Sequence, residues 1–319
     1  MRLSKAIRAT AWAVVAAGVA APIARKRLRA HAVLTQTVAF AGPVGLCVAV
    51  PRSRTRDVAV CCLQMWAYIA AYKTPHDDEQ AQAARVHIDY PIDIDRLIGL
   101  GELPTSRLQR ALARVDPASG VPDWTALDRT LVWTHWLWFM VPHSAVAYIL
   151  WRDPDALPRA AVMTYATFDL GASFYWVLPT APPWYAASLG ARIGDSEPDV
   201  RRMMVEYGEH FWKDGWGPLY SVFGGNPLAA MPSLHFATSL MATLLLAETG
   251  PVAGALGGAY TAMLAFALVY LGEHYVVDLL GGAALTAAVR RLGPRAAPLL
   301  VRFGRAVGAL ESMAHEAVS

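Results

Sequence analysis

With 55% hydrophobic and only 17% charged residues over 319 positions, and a mean hydropathy of +0.32, the chain is too apolar for an ordinary soluble domain. A net charge of +3 is small and by itself says nothing about nucleic acid, which is not an expected partner. The three cysteines, Cys47, Cys61 and Cys62, lie inside apolar stretches without zinc-site spacing and read as small buried hydrophobes.

Several runs of roughly 16 to 22 residues with few charges point to a polytopic membrane protein. Arg2, Lys5 and Arg8 precede an apolar run at 11–23 that resembles a signal peptide. The cluster Arg25, Lys26, Arg27 and Arg29 resists translocation, so the segment is read as a retained membrane-associated helix. A run at 32–50, interrupted by Pro43, and a shorter one at 58–72 follow. From 73 to 129 the chain turns mixed in charge and proline-punctuated; Ile92-Asp-Ile-Asp-Arg-Leu-Ile-Gly-Leu100 carries partial helical periodicity, and the segment reads as short interfacial helices or a solvated connector.

The run at 131–151 is read as one span with an aromatic first half, Trp133, Trp136, Trp138 and Phe139, suited to a headgroup interface. A span at 160–178 ends at Pro179 and the Pro182-Pro183 pair. A mixed loop at 187–230 leads to the run beginning at His235, a turn at Gly250-Pro251, a second run at 252–271, and a last span from about 273 to 289 that ends in Arg290, Arg291 and Arg295. The resulting expectation is an all-α polytopic helix bundle: membrane-associated helices at 1–56, a six-helix catalytic core at 57–295 with an interfacial insertion at 73–129 and an outer loop at 186–230, and a cytoplasmic tail at 296–319. Arginine-bearing ends at 52–56, 152–159 and 290–305 fall on one side, which the positive-inside rule makes cytoplasmic; the histidine ends then open extracytoplasmically.

Two stretches place histidines at the ends of apolar runs, where an ionisable group is costly. They are Met231-Pro-Ser-Leu-His-Phe-Ala237 and Tyr270-Leu-Gly-Glu-His-Tyr-Val-Val-Asp-Leu-Leu-Gly-Gly282. His274 and Asp278 are four apart, so on a helix the carboxylate reaches one imidazole nitrogen, fixes the tautomer and leaves the other nitrogen free as nucleophile or base. The two runs between His235 and His274 form an antiparallel hairpin, which returns the chain to the same face and brings the two rings together.

Pro232-Ser233-Leu234-His235 followed by His274-x-x-x-Asp278 resembles the second and third motifs of the type 2 phosphatidic acid phosphatase superfamily, which also includes vanadium haloperoxidases. Tyr175-Trp-Val-Leu-Pro-Thr-Ala-Pro-Pro-Trp-Tyr185 and the His-Tyr-Val-Val-Asp form of the third motif are similar to the inositol phosphorylceramide synthase-like, inositolphosphotransferase branch. The resemblance implies a membrane lipid phosphotransferase or lipid-phosphate phosphatase with a phosphohistidine intermediate: His274 as nucleophile, Asp278 as its orienter and His235 as general acid. It implies a phospholipid or polyprenyl-phosphate substrate at the outer face of the plasma membrane, and no metal or other cofactor. The superfamily's first motif, a lysine with an arginine-proline seven residues on, is absent at Pro179 to Tyr185, and Leu268 stands where an arginine precedes the third-motif histidine.

Candidates for the missing cations are Lys213 and the pair Arg201 and Arg202. Ser233 is either a phosphate contact or simply a helix cap. His135, Tyr185 and Asn226 are candidate headgroup contacts, Asp169 a mid-span acid in need of a polar neighbour, and His210 a surface histidine. Readings from other classes are a catalytically silent lipid-binding scaffold and a bis-histidine haem protein pairing, for example, His135 with His274.

Overall fold

The computed structural model of the chain describes residues 2–190, 200–223 and 225–316 and is an all-α membrane helix bundle. The two compact units are Met1–Asp77 with Arg290–Ser319, and Asp78–Val289.

In the first unit, α1 (Arg2–Leu28) packs along α2 (Ala32–Ala49), and α3 (Arg54–Lys73) joins them. Their closest approach is glycine on glycine: a Cβ on Gly18 would lie 2.9 Å from the Gly42 Cα, the small-residue contact typical of membrane helices. Arg56 is buried there and donates from Nη1 to the Cys47 and Val50 carbonyls and to Glu311 at 2.6 Å. Arg25 forks onto Asp77 at 2.6 and 2.9 Å, so part of the basic cluster at the end of α1 is neutralised within the unit. The cysteines depart from expectation: Cys62 is exposed and Cys47 and Cys61 are only half-buried.

The second unit opens with short helices, α4 (Glu79–Ala83), α5 (Asp89–Ile98) and α6 (Pro104–Leu112), and a small antiparallel pair, β1 (Arg114–Val115) with β2 (Pro122–Asp123). Next come α7 (Ala126–Leu137), α8 (Val141–Arg152), α9 (Leu157–Val177), α10 (Pro183–Ser188), α11 (Met203–Trp212) and α12 (Trp216–Phe223). The apolar hairpin α13 (Leu234–Thr249) and α14 (Pro251–Tyr270) follows, then the start of α15 (Val276–His315), whose part from Arg290 onward belongs to the first unit. Leu3–Leu28, Ala32–Ala49 and α14 are long and apolar enough to cross a membrane, and α13 is a shorter apolar helix.

The single span expected at 131–151 is interrupted. Trp138, Phe139 and Met140 close three-residue turns onto His135, Trp136 and Leu137 instead of continuing the α ladder. Pro142 has no N–H to give the residue-138 carbonyl, so the ladder stops there and restarts as α8.

The hairpin is the frame of this unit. Gly250 ends α13 and Pro251 starts α14, and Thr243 and Thr261 share a hydrogen bond of 2.8 Å across the pair. α13 also packs on α8 and α9, while α14 packs on α7. Tyr270 on α14 donates to Asp128 at 2.5 Å, and Asp128 completes a capping box with Thr125 at the start of α7. α15 lies close against α13: Thr286 donates to the Ala237 carbonyl at 2.9 Å, and a Cβ on Gly282 would sit 2.7 Å from the Ser233 carbonyl oxygen. Gly282→Ala therefore forces two backbones apart, and we expect it to lower stability by roughly 1 to 3 kcal/mol in detergent thermal unfolding, with helix content unchanged.

Candidate active site

The start of α13, the start of α15 and the broken end of α7 converge at one end of the second unit. Ser233 caps α13, its hydroxyl oxygen accepting from the Phe236 amide at 3.3 Å, and its own amide donates to the Asp278 carbonyl at 2.9 Å. Tyr175, buried on α9, donates from its hydroxyl to the Pro232 carbonyl at 2.8 Å. These bonds fix where His235 begins its helix.

The turn between α14 and α15 fixes the other histidine. Gly272 takes a positive φ of 81°, and the amides of Glu273 and His274 both donate to the Leu268 carbonyl at 3.1 Å. In α15 the Asp278 Oδ2 accepts from the Tyr275 amide at 2.9 Å and from His274 Nδ1 at 3.2 Å. Because Nδ1 faces the carboxylate, His274 presents Nε2 to His235, whose Nδ1 lies 3.2 Å away. The second Asp278 oxygen, Oδ1, is buried with no hydrogen-bond partner among the described residues.

His235 is held between two rings of the α7 break. Trp138 lies 4.1 Å from it between centroids and donates from its indole to Thr238, while His135 stacks at 4.9 Å with planes 28° apart. His135 is 4% exposed, and neither of its ring nitrogens has a partner among the described residues. For a pairing of His135 with His274 across a haem, the obstacle is that His235 is in ring contact with both.

Of the candidate cations, Arg202 stands at the site. Its Nε and Nη2 donate to Glu273 at 2.9 and 3.2 Å, its Nη1 donates to Tyr220 at 2.8 Å, and the guanidinium carbon lies 3.8 Å from the centre of the Trp184 ring. Glu273 in turn interacts electrostatically with His135 and His274. Arg201 pairs with Glu206, and Lys213 is an exposed residue between α11 and α12, at a φ of 48°. Tyr185 packs half-buried beside Trp184, and the buried Asn226 accepts from Gln82 and from the Leu228 amide, which ties its loop to α4. Asp169 is half-buried on α9, and His210 is exposed, as read from the sequence.

The Tyr175–Tyr185 stretch is a wall of the site. Beyond the Tyr175 bond, Thr180 exchanges backbone hydrogen bonds with Leu228 and Ala230, its neighbours bond His87, and the Trp184 amide donates to the Gly272 carbonyl at 3.3 Å. Among the described residues, no group of three or more His, Cys, Asp and Glu side chains is arranged to hold a metal ion.

Residues 118–292 match the model of the PAP2 superfamily. The chain belongs to that superfamily. Within it, the chain is similar to the inositol phosphorylceramide synthase-like branch. The inositol phosphorylceramide synthase catalytic subunit aur1 of Schizosaccharomyces pombe is 28% identical over 162 residues, 47% of this chain and 37% of that protein. The inositol phosphorylceramide synthase of Candida albicans is 28% identical over 157 residues, 47% of this chain and 32% of that protein. The chain thus spans well under half the length of these curated relatives, and no solved structure matches it significantly. Both histidine segments and the Tyr175–Tyr185 wall lie inside the superfamily match.

The Arg202–Glu273 pair is largely buried, so removing one member strands the other's charge. Glu273→Met is expected to lower stability by roughly 3 to 5 kcal/mol, and Arg202→Met with Glu273→Met together to cost clearly less, as read by a double-mutant cycle of thermal unfolding that includes Arg202→Met alone.

Proposed function

We propose that the protein is a membrane enzyme that transfers or hydrolyses a lipid-linked phosphate through a phosphohistidine on His274. The observation that carries this reading is the line Asp278 Oδ2, His274 Nδ1, His274 Nε2, His235 Nδ1, with both contacts between residues at 3.2 Å. A phosphate entering between the rings takes the place of the His235–His274 hydrogen bond. Nε2 of His274 then attacks phosphorus as the neutral imidazole, and the Asp278 carboxylate stabilises the imidazolium charge that develops. His235 gives a proton to the departing oxygen, and afterwards takes one from the water or alcohol that releases the phosphoryl group from His274.

Arg202 is the group we assign to the phosphate oxygens. Three of its five N–H groups are directed to Glu273 and Tyr220, which leaves the end of the fork for a bidentate contact. The Ser233 hydroxyl, already capping α13, is a further candidate contact, and exposed Lys213 remains a secondary one. His135, with two unsatisfied nitrogens against His235, is assigned to a headgroup or acceptor hydroxyl, and Tyr185 and Asn226 to the wall and loop that shape that side.

The substrate in this reading is a phospholipid or polyprenyl phosphate. Similarity to the inositol phosphorylceramide synthases favours transfer to or from an inositol-type headgroup over simple hydrolysis. The ends of α9 and α14 and the starts of α13 and α15 form the site, whereas Arg152 and Arg159 lie at the opposite ends of their helices, where Arg159 pairs with Glu248. Taking these arginine-bearing ends as cytoplasmic under the positive-inside rule, we assign the site to the extracytoplasmic face of what we take to be the plasma membrane.

The test is mass spectrometry of phosphatidylinositol, phosphatidic acid and a polyprenyl phosphate incubated with the detergent-solubilised wild type, His235→Ala and His274→Ala. We expect turnover to fall by about 10² to 10⁴ in His235→Ala and at least as far in His274→Ala. Free phosphate from the two monoesters, or inositol phosphate from phosphatidylinositol, marks hydrolysis, and a headgroup-exchanged lipid marks transfer; identical product profiles from all three proteins would remove the catalytic reading.

A further inference from the structure

Asp95 is a buried acid that the reaction outlined above does not use. It lies on α5, on the same stripe as Ile92, and is 0% exposed. Its two carboxylate oxygens accept from the amides of Val277 and Val276 at 2.9 and 2.8 Å, 182 and 181 residues further along the chain. Those amides begin α15, and the next residue of that helix is Asp278. A helix start ordinarily takes its cap from the residue just before it. Here that residue is Tyr275, whose own amide donates to Asp278, so the free amides of the first turn are closed by a carboxylate from a separate helix.

We propose that Asp95 is a positioning residue for the reaction proposed above: it locks the first turn of α15, so that Asp278 stays aimed at His274 Nδ1, and adds a second negative charge behind that pair. The inference rests on that reading of His274 and Asp278. It also gives the insertion around α5 a purpose, since its contact falls one turn from the reacting nitrogen. The ionised carboxylate accepts from both amides at once, whereas a protonated one turns a donor toward them and loses its charge.

The charged and titratable groups around Asp95 are Asp278 and Tyr275 on the α15 side and Arg96 next to it on its own helix, while Tyr90 of that helix faces Asp278. Beside it, Ile92 of the same helix joins Leu103 and Tyr275 in an apolar cluster. Burial, helped by the nearby Asp278 charge, pushes the Asp95 carboxyl up to about 6 against the pull of the two amides. Its ionised form therefore disappears as the pH falls through about 6.

The experiment compares kcat and KM of full-length wild type and Asp95→Asn between pH 5 and 7.5, on whichever of the three lipids the wild type turns over. At pH 7.5 we expect kcat of Asp95→Asn to be about tenfold to a hundredfold lower with KM little changed. With a tenfold loss at pH 7.5, the ratio narrows to about twofold at pH 5, where about nine tenths of wild-type Asp95 is already protonated and resembles the variant. A loss by the same factor at every pH, or a change confined to KM, overturns the proposal. If Asp95→Asn does not fold, Asp95→Ser, neutral and smaller, is read by the same converging ratio. A pH-independent factor alongside an inactive His274→Ala removes this inference alone; an active His274→Ala removes the parent reading.

Discussion

One backbone hydrogen bond, from the Ser233 amide to the Asp278 carbonyl, joins the starts of α13 and α15, and the geometry of the site follows from it. His235 stands two residues after the donor and His274 four before the acceptor, so this bond sets the spacing of the rings. It can form only because the helices approach within glycine distance, with Gly282 against the Ser233 carbonyl. The close packing of two apolar helices is thereby converted into a 3.2 Å contact between two imidazoles.

Around this contact, each polar group is positioned by an element distant in sequence. The α7 break turns His135 and Trp138 onto His235, α9 anchors Pro232 through Tyr175, and the loop before α11 brings in Arg202. Gln109 on α6 binds both the amide and the carbonyl of Arg201 as well as the Tyr270 carbonyl, so the insertion braces the arginine loop and the end of α14 together. Ionisable side chains in a largely apolar protein are costly, and in this site they are gathered at helix ends where backbone dipoles and partner charges offset the cost.

The meeting of His235, His274 and Asp278 was legible in the sequence because it depends on local rules: an i, i+4 pair and a hairpin of matched runs. Superfamily membership and the all-α membrane class were legible for the same reason, being written in motifs and hydropathy. Arg202 was only one of three candidate cations, since its distinction from Arg201 and Lys213 lies in tertiary partners, Glu273, Tyr220 and Trp184, that no sequence spacing reveals. The break at Trp138 was signalled by Pro142 but masked by a continuous apolar run. Asp95 had a readable signal as well, an acid three residues after Ile92 on the buried stripe of an amphipathic helix; its partner amides, 181 and 182 residues away, had none.

The central claim is that His274 Nε2 becomes covalently bonded to phosphorus. Rapid quenching of the purified protein during turnover of phosphatidic acid labelled with radioactive phosphate, followed by peptide mapping, tests it directly. The account predicts acid-labile, base-stable label on the peptide containing His274, absent from His274→Ala. Label on His235, or undiminished turnover with no protein-bound phosphate at any quench time, would contradict it.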